Sequence, residues 1–145
     1  MKVGKVTIPL LPLAESEVPV VKFYIKENPY LAIVDTGAES TIIDVTLKDE
    51  LETKSEEEVA LVGISGEKKA NTILTGTVKV WMQNEKGHVF ITSVKGFLSD
   101  ITHVSNHFLS QMDCREKIVA VFGADMLNNL NAKVDFVKKE VHFKI

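Results

Sequence analysis

A single cysteine, Cys114, stands among 145 residues, so no internal disulfide can staple the chain, and the composition suits a reducing compartment. Basic residues are not in excess. The formal net charge is -3 and the pI about 5.8, which leaves no electrostatic footprint for a nucleic-acid backbone and predicts that nucleic acid is not a partner. Long apolar runs are missing too. The apolar N-terminal stretch, Ile8 to Leu13, is short, is broken by Pro9 and Pro12 and lacks a cleavage-site pattern, so it reads as neither signal peptide nor membrane anchor. There is no internal repeat, linker or low-complexity tract. The expected location is the cytoplasm, with no membrane partner.

What is present is ordinary globular material, with 45% hydrophobic and 26% charged residues, in a chain long enough for one domain with a real core, taken as residues 1–145. The dominant hydrophobic period is two. Val18 to Ile25, Tyr30 to Val34, Val59 to Val62, Ile73 to Met82 and Val89 to Val94 are rich in β-branched and aromatic residues. They are separated by turn chemistry at Glu27-Asn28-Pro29, Gly63 to Gly66 and Asn84 to Gly87, which predicts a mostly β fold. Three short helical signals interrupt it. Asp44 is placed to cap a turn carrying Leu47 and Leu51; Ile101, Val104, Phe108, Leu109 and Met112 share one helical face; Asp125 is placed to cap Met126 to Leu130. The acidic run Asp49 to Glu58 reads as a solvated loop or helix face.

One strand ends unusually. Tyr30-Leu31-Ala32-Ile33-Val34 runs directly into Asp35-Thr36-Gly37-Ala38, so an apolar strand stops on a carboxylate, which is costly near a core unless it is hydrogen-bonded, paired or protonated. Gly37 lets the backbone turn sharply beside the charge and bring an N–H to it, and Thr36 offers a small hydroxyl for hydrogen bonding. The bland reading is a turn after a strand, with Asp35 as its cap.

The wider context favours a catalytic reading. Asp35-Thr36-Gly37-Ala38-Glu39-Ser40-Thr41, followed by Ile42-Ile43, resembles the active-site segment of retropepsin-like aspartic proteases. A second segment, Val121-Phe122-Gly123-Ala124-Asp125-Met126-Leu127, then Asn131-Ala132-Lys133-Val134-Asp135-Phe136 and Val141-His142-Phe143, is similar to that family's apolar-apolar-glycine loop, short helix and closing hairpin. Between them, Leu61-Val62-Gly63-Ile64-Ser65-Gly66 has the form of a flap hairpin with a glycine-bearing tip. The resemblance implies a mostly β, single-lobe acid-protease barrel with short helices and a flap.

It also implies an aspartic endopeptidase without a cofactor. In such enzymes two carboxylates about 3 Å apart cannot both ionise and share a proton, one polarising the scissile carbonyl while the other activates water. Only one Asp-Thr-Gly occurs, so the second carboxylate has to come from a second copy, and the expected enzyme is a two-fold homodimer with Asp35 at the axis. In that reading Asp35, Thr36 and Gly37 form the catalytic cradle, and Ala38, Glu39, Val62, Gly63, Ile64, Ser65 and Gly66 contact an extended peptide. The termini, Lys2 to Ile8 and Val134 to Ile145, are dimer strands or pair only within the subunit. Ala124 stands where retroviral members often carry arginine, leaving Glu39 without that partner, and Asp125 is expected to be structural. The segment Lys95 to Lys117 is longer than a minimal retroviral domain needs, and its helical pattern suits packing on the core, covering the dimer interface or lining a specificity pocket, with core packing as the default. His103 and His107, four apart with Asp100 and Cys114 nearby, have a spacing that zinc sites use, but without the glutamate of a metalloprotease helix they read as surface histidines, with no metal expected. Cys114 reads as an inert thiol. The competing functional reading is a retropepsin-fold peptide-binding or assembly module with little or no activity.

Overall fold

A computed structural model describes residues 4–11, 18–62, 68–109 and 116–144, with backbone alone for 57–62, 68–72 and 107–109. Its strands are β1 (Lys5–Pro9), β2 (Val20–Ile25), β3 (Asn28–Val34), β4 (Ile42–Asp44), β5 (Thr53–Val62), β6 (Lys68–Gln83), β7 (Val89–Ser99), β8 (Ile118–Phe122), β9 (Lys133–Asp135) and β10 (Glu140–Lys144). The larger sheet has the order β2-β3-β8-β4-β7-β6-β5, and a further pairing of β2 with β6 at Tyr24 and Trp81 closes six of these strands into a barrel. Tyr24 and Trp81 stack with centroids 4.0 Å apart at this seam, and the Trp81 indole donates to the Lys26 carbonyl at 2.7 Å. The fold is mostly β, as the strand pattern implies. No helix among the described residues is long and apolar enough to cross a membrane.

Alternation along β3 explains why its sequence is continuously apolar. Ala32 and Val34 point into the barrel core with Phe23, Phe90, Phe122 and Phe143. Leu31 and Ile33 point the other way, into a second cluster with Val20, Ile101 and Ile118. A strand covered on both faces has no solvent side on which to place polar residues. The cover is supplied by the segment leading into helix α1 (Thr102–Leu109), from which Ile101 is buried and Val104 packs against the same cluster. In the described part of the 95–117 segment Ile101 and Val104 pack on the core; Met112 and Cys114 lie outside the described residues, as do the side chains of His107, Phe108 and Leu109. His103 is exposed.

Asp44 does what its sequence position predicts. It caps the 3-10 turn Val45–Glu50, accepting from the Thr46 N–H at 3.1 Å, and it also accepts from the Ile101 N–H at 2.9 Å. The buried carboxylate thus ties two chain segments together while satisfying orphan donors. The acidic run departs from expectation: Asp49 and Glu50 end this turn, but Thr53 onward is strand β5, paired with β6 from Thr53↔Thr77 to Val62↔Lys68. It is an edge strand whose side chains from Thr53 to Glu56 are exposed, so charge there is solvated and also discourages edge-to-edge association. The first turn is shifted as well. Lys26-Glu27 make it, with Lys26 at φ 54°, and Asn28-Pro29 already belong to β3.

Asp100 anchors the start of α1 by accepting from the Thr102 hydroxyl at 2.6 Å and the Thr102 N–H at 2.9 Å. These bonds, the hydroxyl first, hold the Asp100 carboxyl below its ordinary value of 3.8. A depressed folded pKa gives stability that is complete above the unfolded value and is lost as pH falls through the folded one. Thr102→Ala is therefore expected to lower Tm at neutral pH and down to about pH 5, with the gap to the parent closing below the ordinary carboxylate range. A gap that persists unchanged in acid would contradict this assignment of the anchor.

Candidate active site

Two parallel strands place the site. β3 and β8 run side by side in the same direction, pairing Val34 with Phe122 at their ends, so the loops that follow them leave the barrel at one point although they are far apart in sequence. The Asp35 N–H continues the ladder onto the Phe122 carbonyl at 3.0 Å. The first loop, residues 35–41, carries the Asp-Thr-Gly; the second is Gly123 and the start of helix α2 (Ala124–Asn129).

Within the first loop the backbone folds onto the carboxylate. The Gly37 N–H donates to Asp35 Oδ1 at 2.9 Å, and the Ala38 N–H donates to the Asp35 carbonyl at 3.2 Å. A Cβ at position 37 would stand 3.3 Å from Asp35 Oδ1. Glycine is favoured here by this close approach, not by a left-handed backbone. Asp35, Thr36, Gly37 and Glu39 are exposed, with Ala38 half-buried. Among the described residues, the Thr36 hydroxyl has no hydrogen bond and Glu39 has no ion pair, so the two polar side chains flanking this turn are uncommitted within one chain.

The loop is locked from behind. Ala124 N–H donates to the Ala38 carbonyl at 2.6 Å and Asp125 N–H to the Glu39 carbonyl at 3.2 Å. Fully buried Thr41 forms the central link. Its hydroxyl donates to Asp125 Oδ1 at 2.7 Å and accepts from the Gly123 N–H at 3.0 Å, while its own N–H reaches Asp125 Oδ2 at 3.2 Å. Gly123 permits the contact, because a Cβ there would fall 2.6 Å from the Ser40 carbonyl carbon and oxygen.

Asp125 is structural, but not as the expected cap. The helix is preceded by Gly123 with no side-chain cap, and Asp125 lies in its first turn, spending its oxygens on Thr41 and the Met126 N–H. Thr41 is the residue whose role sequence reasoning missed. Its signal was a small hydroxyl just beyond the Asp-Thr-Gly, but its partner lies 84 residues away.

The remaining expected contacts belong to the hairpin. β5 and β6 pair up to Val62↔Lys68, giving the two arms such a flap needs. Gly63, Ile64, Ser65 and Gly66 lie outside the described residues, as does the side chain of Val62.

A closed β-barrel that presents one carboxylate on a glycine-braced turn, locked to a second apolar-glycine loop, defines a single lobe of an aspartic protease. The chain belongs to the retroviral aspartyl protease family, whose model matches residues 15–135. Among solved structures it is similar to the EIAV protease complexed with the inhibitor HBY-793, at 16% identity and TM-score 0.44 over 86% of this chain and 99% of that one. It is also similar to a retropepsin-like aspartic protease from Rickettsia conorii, at 13% identity and TM-score 0.48 over 97% and 90% of the two chains. No curated protein matches the sequence.

Proposed function

We propose that the protein is an aspartic endopeptidase active as a homodimer. The observation that carries this reading is the exposed Asp35 carboxylate, held by the Gly37 N–H on a loop fixed through Thr41, Gly123 and Asp125. A lone solvated carboxylate has no means of activating water at a peptide bond, whereas two brought together across a two-fold axis share one proton and divide the labour. The ionised Asp35 takes a proton from water as it attacks the scissile carbonyl, and the protonated one donates to the carbonyl oxygen. Thr36 locks the paired loops across the axis. Ala38, Glu39 and the 62–66 tip hold the substrate in an extended conformation.

The dimer surface in this proposal continues from the catalytic loop. A groove of about 250 Å³ is lined by Thr36 and Asn128 together with the apolar Ala124, Leu127, Ala132, Val134 and Phe136. The termini pair with each other inside one chain, in the order β1-β10-β9, so β9 borders this groove as an edge strand. Phe136 and Val137, 60% and 93% exposed, follow β9 directly. Asp135 Oδ1 accepts from the Val137 and Lys138 N–H groups at 3.0 and 2.9 Å, which fixes this apolar turn in a presented conformation. Exposed aromatic and aliphatic groups on a rigid turn are what an interface anchor requires.

Phe136→Asp is accordingly expected to weaken the dimer by about 2 kcal/mol or more, with activity falling in step with dimer content at low protein concentration. Sedimentation unchanged by that variant would place the interface elsewhere. The activity itself is tested by incubating the chain with a random peptide library, with and without a statine inhibitor. Cleavage that the inhibitor blocks is the expected result; a library left intact at mildly acid and neutral pH would overturn the reading.

A further inference from the structure

The chain is acidic overall, yet its terminal sheet is not. A trough of about 1310 Å³ is lined by Lys5, Lys86, Lys133, Lys138, Lys139 and Lys144, together with His88 and His142, against only two glutamates, Glu85 and Glu140. None of the lining residues belongs to the Asp35 loop or to the groove beside it. Alternation in the sheet produces the pattern. Val6, Ile8, Val141 and Phe143 fill the core, so Lys5 and Thr7 on β1 and Glu140, His142 and Lys144 on β10 face outward.

Register then sets like charges against one another. Lys5 is the direct partner of Lys144. Facing cations on adjacent strands destabilise a sheet. Among the described residues no carboxylate pairs with either of these two lysines: Glu140 lies 3.3 Å from His142 Nε2, and Asp135 accepts from the backbone of its own turn, beside Lys138. Elsewhere lysines are neutralised, as Lys22 is by Glu116 at 3.1 Å and Lys26 by Glu50 at 3.6 Å. Among the described residues, none of the six trough lysines forms an ion pair.

We infer that this trough docks an acidic, Asp/Glu-rich polypeptide segment, carried by the protein substrate at a distance from the bond to be cut. The substrate part of the inference rests on the protease reading; the docking part does not. An acidic polypeptide fits better than nucleic acid, because the lining holds no exposed aromatic platform for bases and the net charge of -3 opposes a long polyanion. A short carboxylate-rich segment needs only the local cations, and it removes the repulsion between Lys5 and Lys144.

The test uses the full chain carrying Asp35→Asn, so that ligand is not cut, and fluorescence anisotropy of a labelled glutamate-rich peptide, its glutamine counterpart and a single-stranded oligonucleotide. The glutamate peptide is expected to bind, the glutamine peptide at least about tenfold more weakly, and Lys5→Gln/Lys133→Gln/Lys144→Gln to weaken the glutamate peptide by about tenfold, with added salt acting in the same direction. Lys86→Gln, on the β6–β7 turn, provides a second variant with the same expected direction. The proposal is overturned if the two peptides bind alike, if the lysine variants bind as the parent does, or if the oligonucleotide binds more tightly than the glutamate peptide. A fall in Tm of the triple variant would show that these lysines serve the fold, and would overturn it too. With the active chain, an acidic tag appended to a neutral cleavable peptide should lower KM for the parent, leave kcat unchanged and have no effect on KM for the triple variant; equal KM values with and without the tag overturn the substrate role. Failure to cut any peptide would count against the protease reading instead, and the anisotropy result would still decide the docking.

Discussion

Asp35→Asn is expected to abolish peptide cleavage while leaving folding and dimerisation intact or stronger. The side-chain oxygen of asparagine can still accept from the Gly37 N–H that now reaches Asp35 Oδ1 at 2.9 Å, and the position is exposed, so stability should stay within about 0.5 kcal/mol of the parent. The chemistry has no such substitute. An amide neither takes a proton from water nor donates one as a carboxylic acid does, and loss of general acid–base catalysis lowers rates by roughly 10²–10⁴-fold. Across a two-fold axis the substitution also removes repulsion between like groups, which is why dimer affinity should hold or rise. Turnover of a cleavable peptide, with sedimentation of the same preparation, checks both halves. Activity near the parent level would remove Asp35 from catalysis, and loss of the dimer would give the residue a structural role instead.

Gly123→Ala should have the largest effect on stability among substitutions around the site. The added Cβ would sit 2.6 Å from the carbonyl carbon and oxygen of Ser40 and 2.9 Å from the carbonyl oxygen of Ala38. The obstacle is backbone, not the far end of a flexible side chain, so one loop has to move. The backbone at 123 is extended, with φ -90° and ψ -177°, and alanine would tolerate it, so the penalty is steric. Moving the loops apart strains the bonds from Gly123 N–H to Thr41 and from Ala124 and Asp125 N–H to Ala38 and Glu39. Overpacking of this kind costs about 1–3 kcal/mol and at times more. A loss near the upper end corresponds to a Tm drop of roughly 6–12 °C in a domain of this size. Because Asp35 rides on the displaced loop, a shift of about 1 Å is expected to lower turnover by about 10²-fold even at temperatures where the variant is folded. Thermal denaturation and turnover below the transition separate the two effects, and a variant with parental values for both would show that the loops are not interlocked through Gly123.

Much of this was local enough to read from the chain. The Asp44 cap and the glycine beside Asp35 depend on residues within a few positions of one another, where side-chain chemistry and backbone sterics act directly. Period-two alternation identified most strands, because a pleated strand puts successive side chains on opposite faces. The acidic run was misread as loop or helix face for the same local reason. An edge strand in water tolerates charge, and pairing with β6 overrode composition from Thr53 onward.

By itself, then, the sequence determined the chemistry available: one Asp-Thr-Gly per chain, a mostly β core and no internal disulfide. Tertiary structure decided what that chemistry rests on. Only the parallel pairing of β3 with β8 brings Thr41 to Asp125 and makes Gly123 indispensable, and only the closure of β1 onto β10 sets Lys5 against Lys144. Phe136 and Val137 read as ordinary apolar residues until the Asp135 turn presents them to solvent. Such contacts join residues far apart in the chain, and no periodicity or local propensity encodes them; they follow from which faces the whole fold must bury.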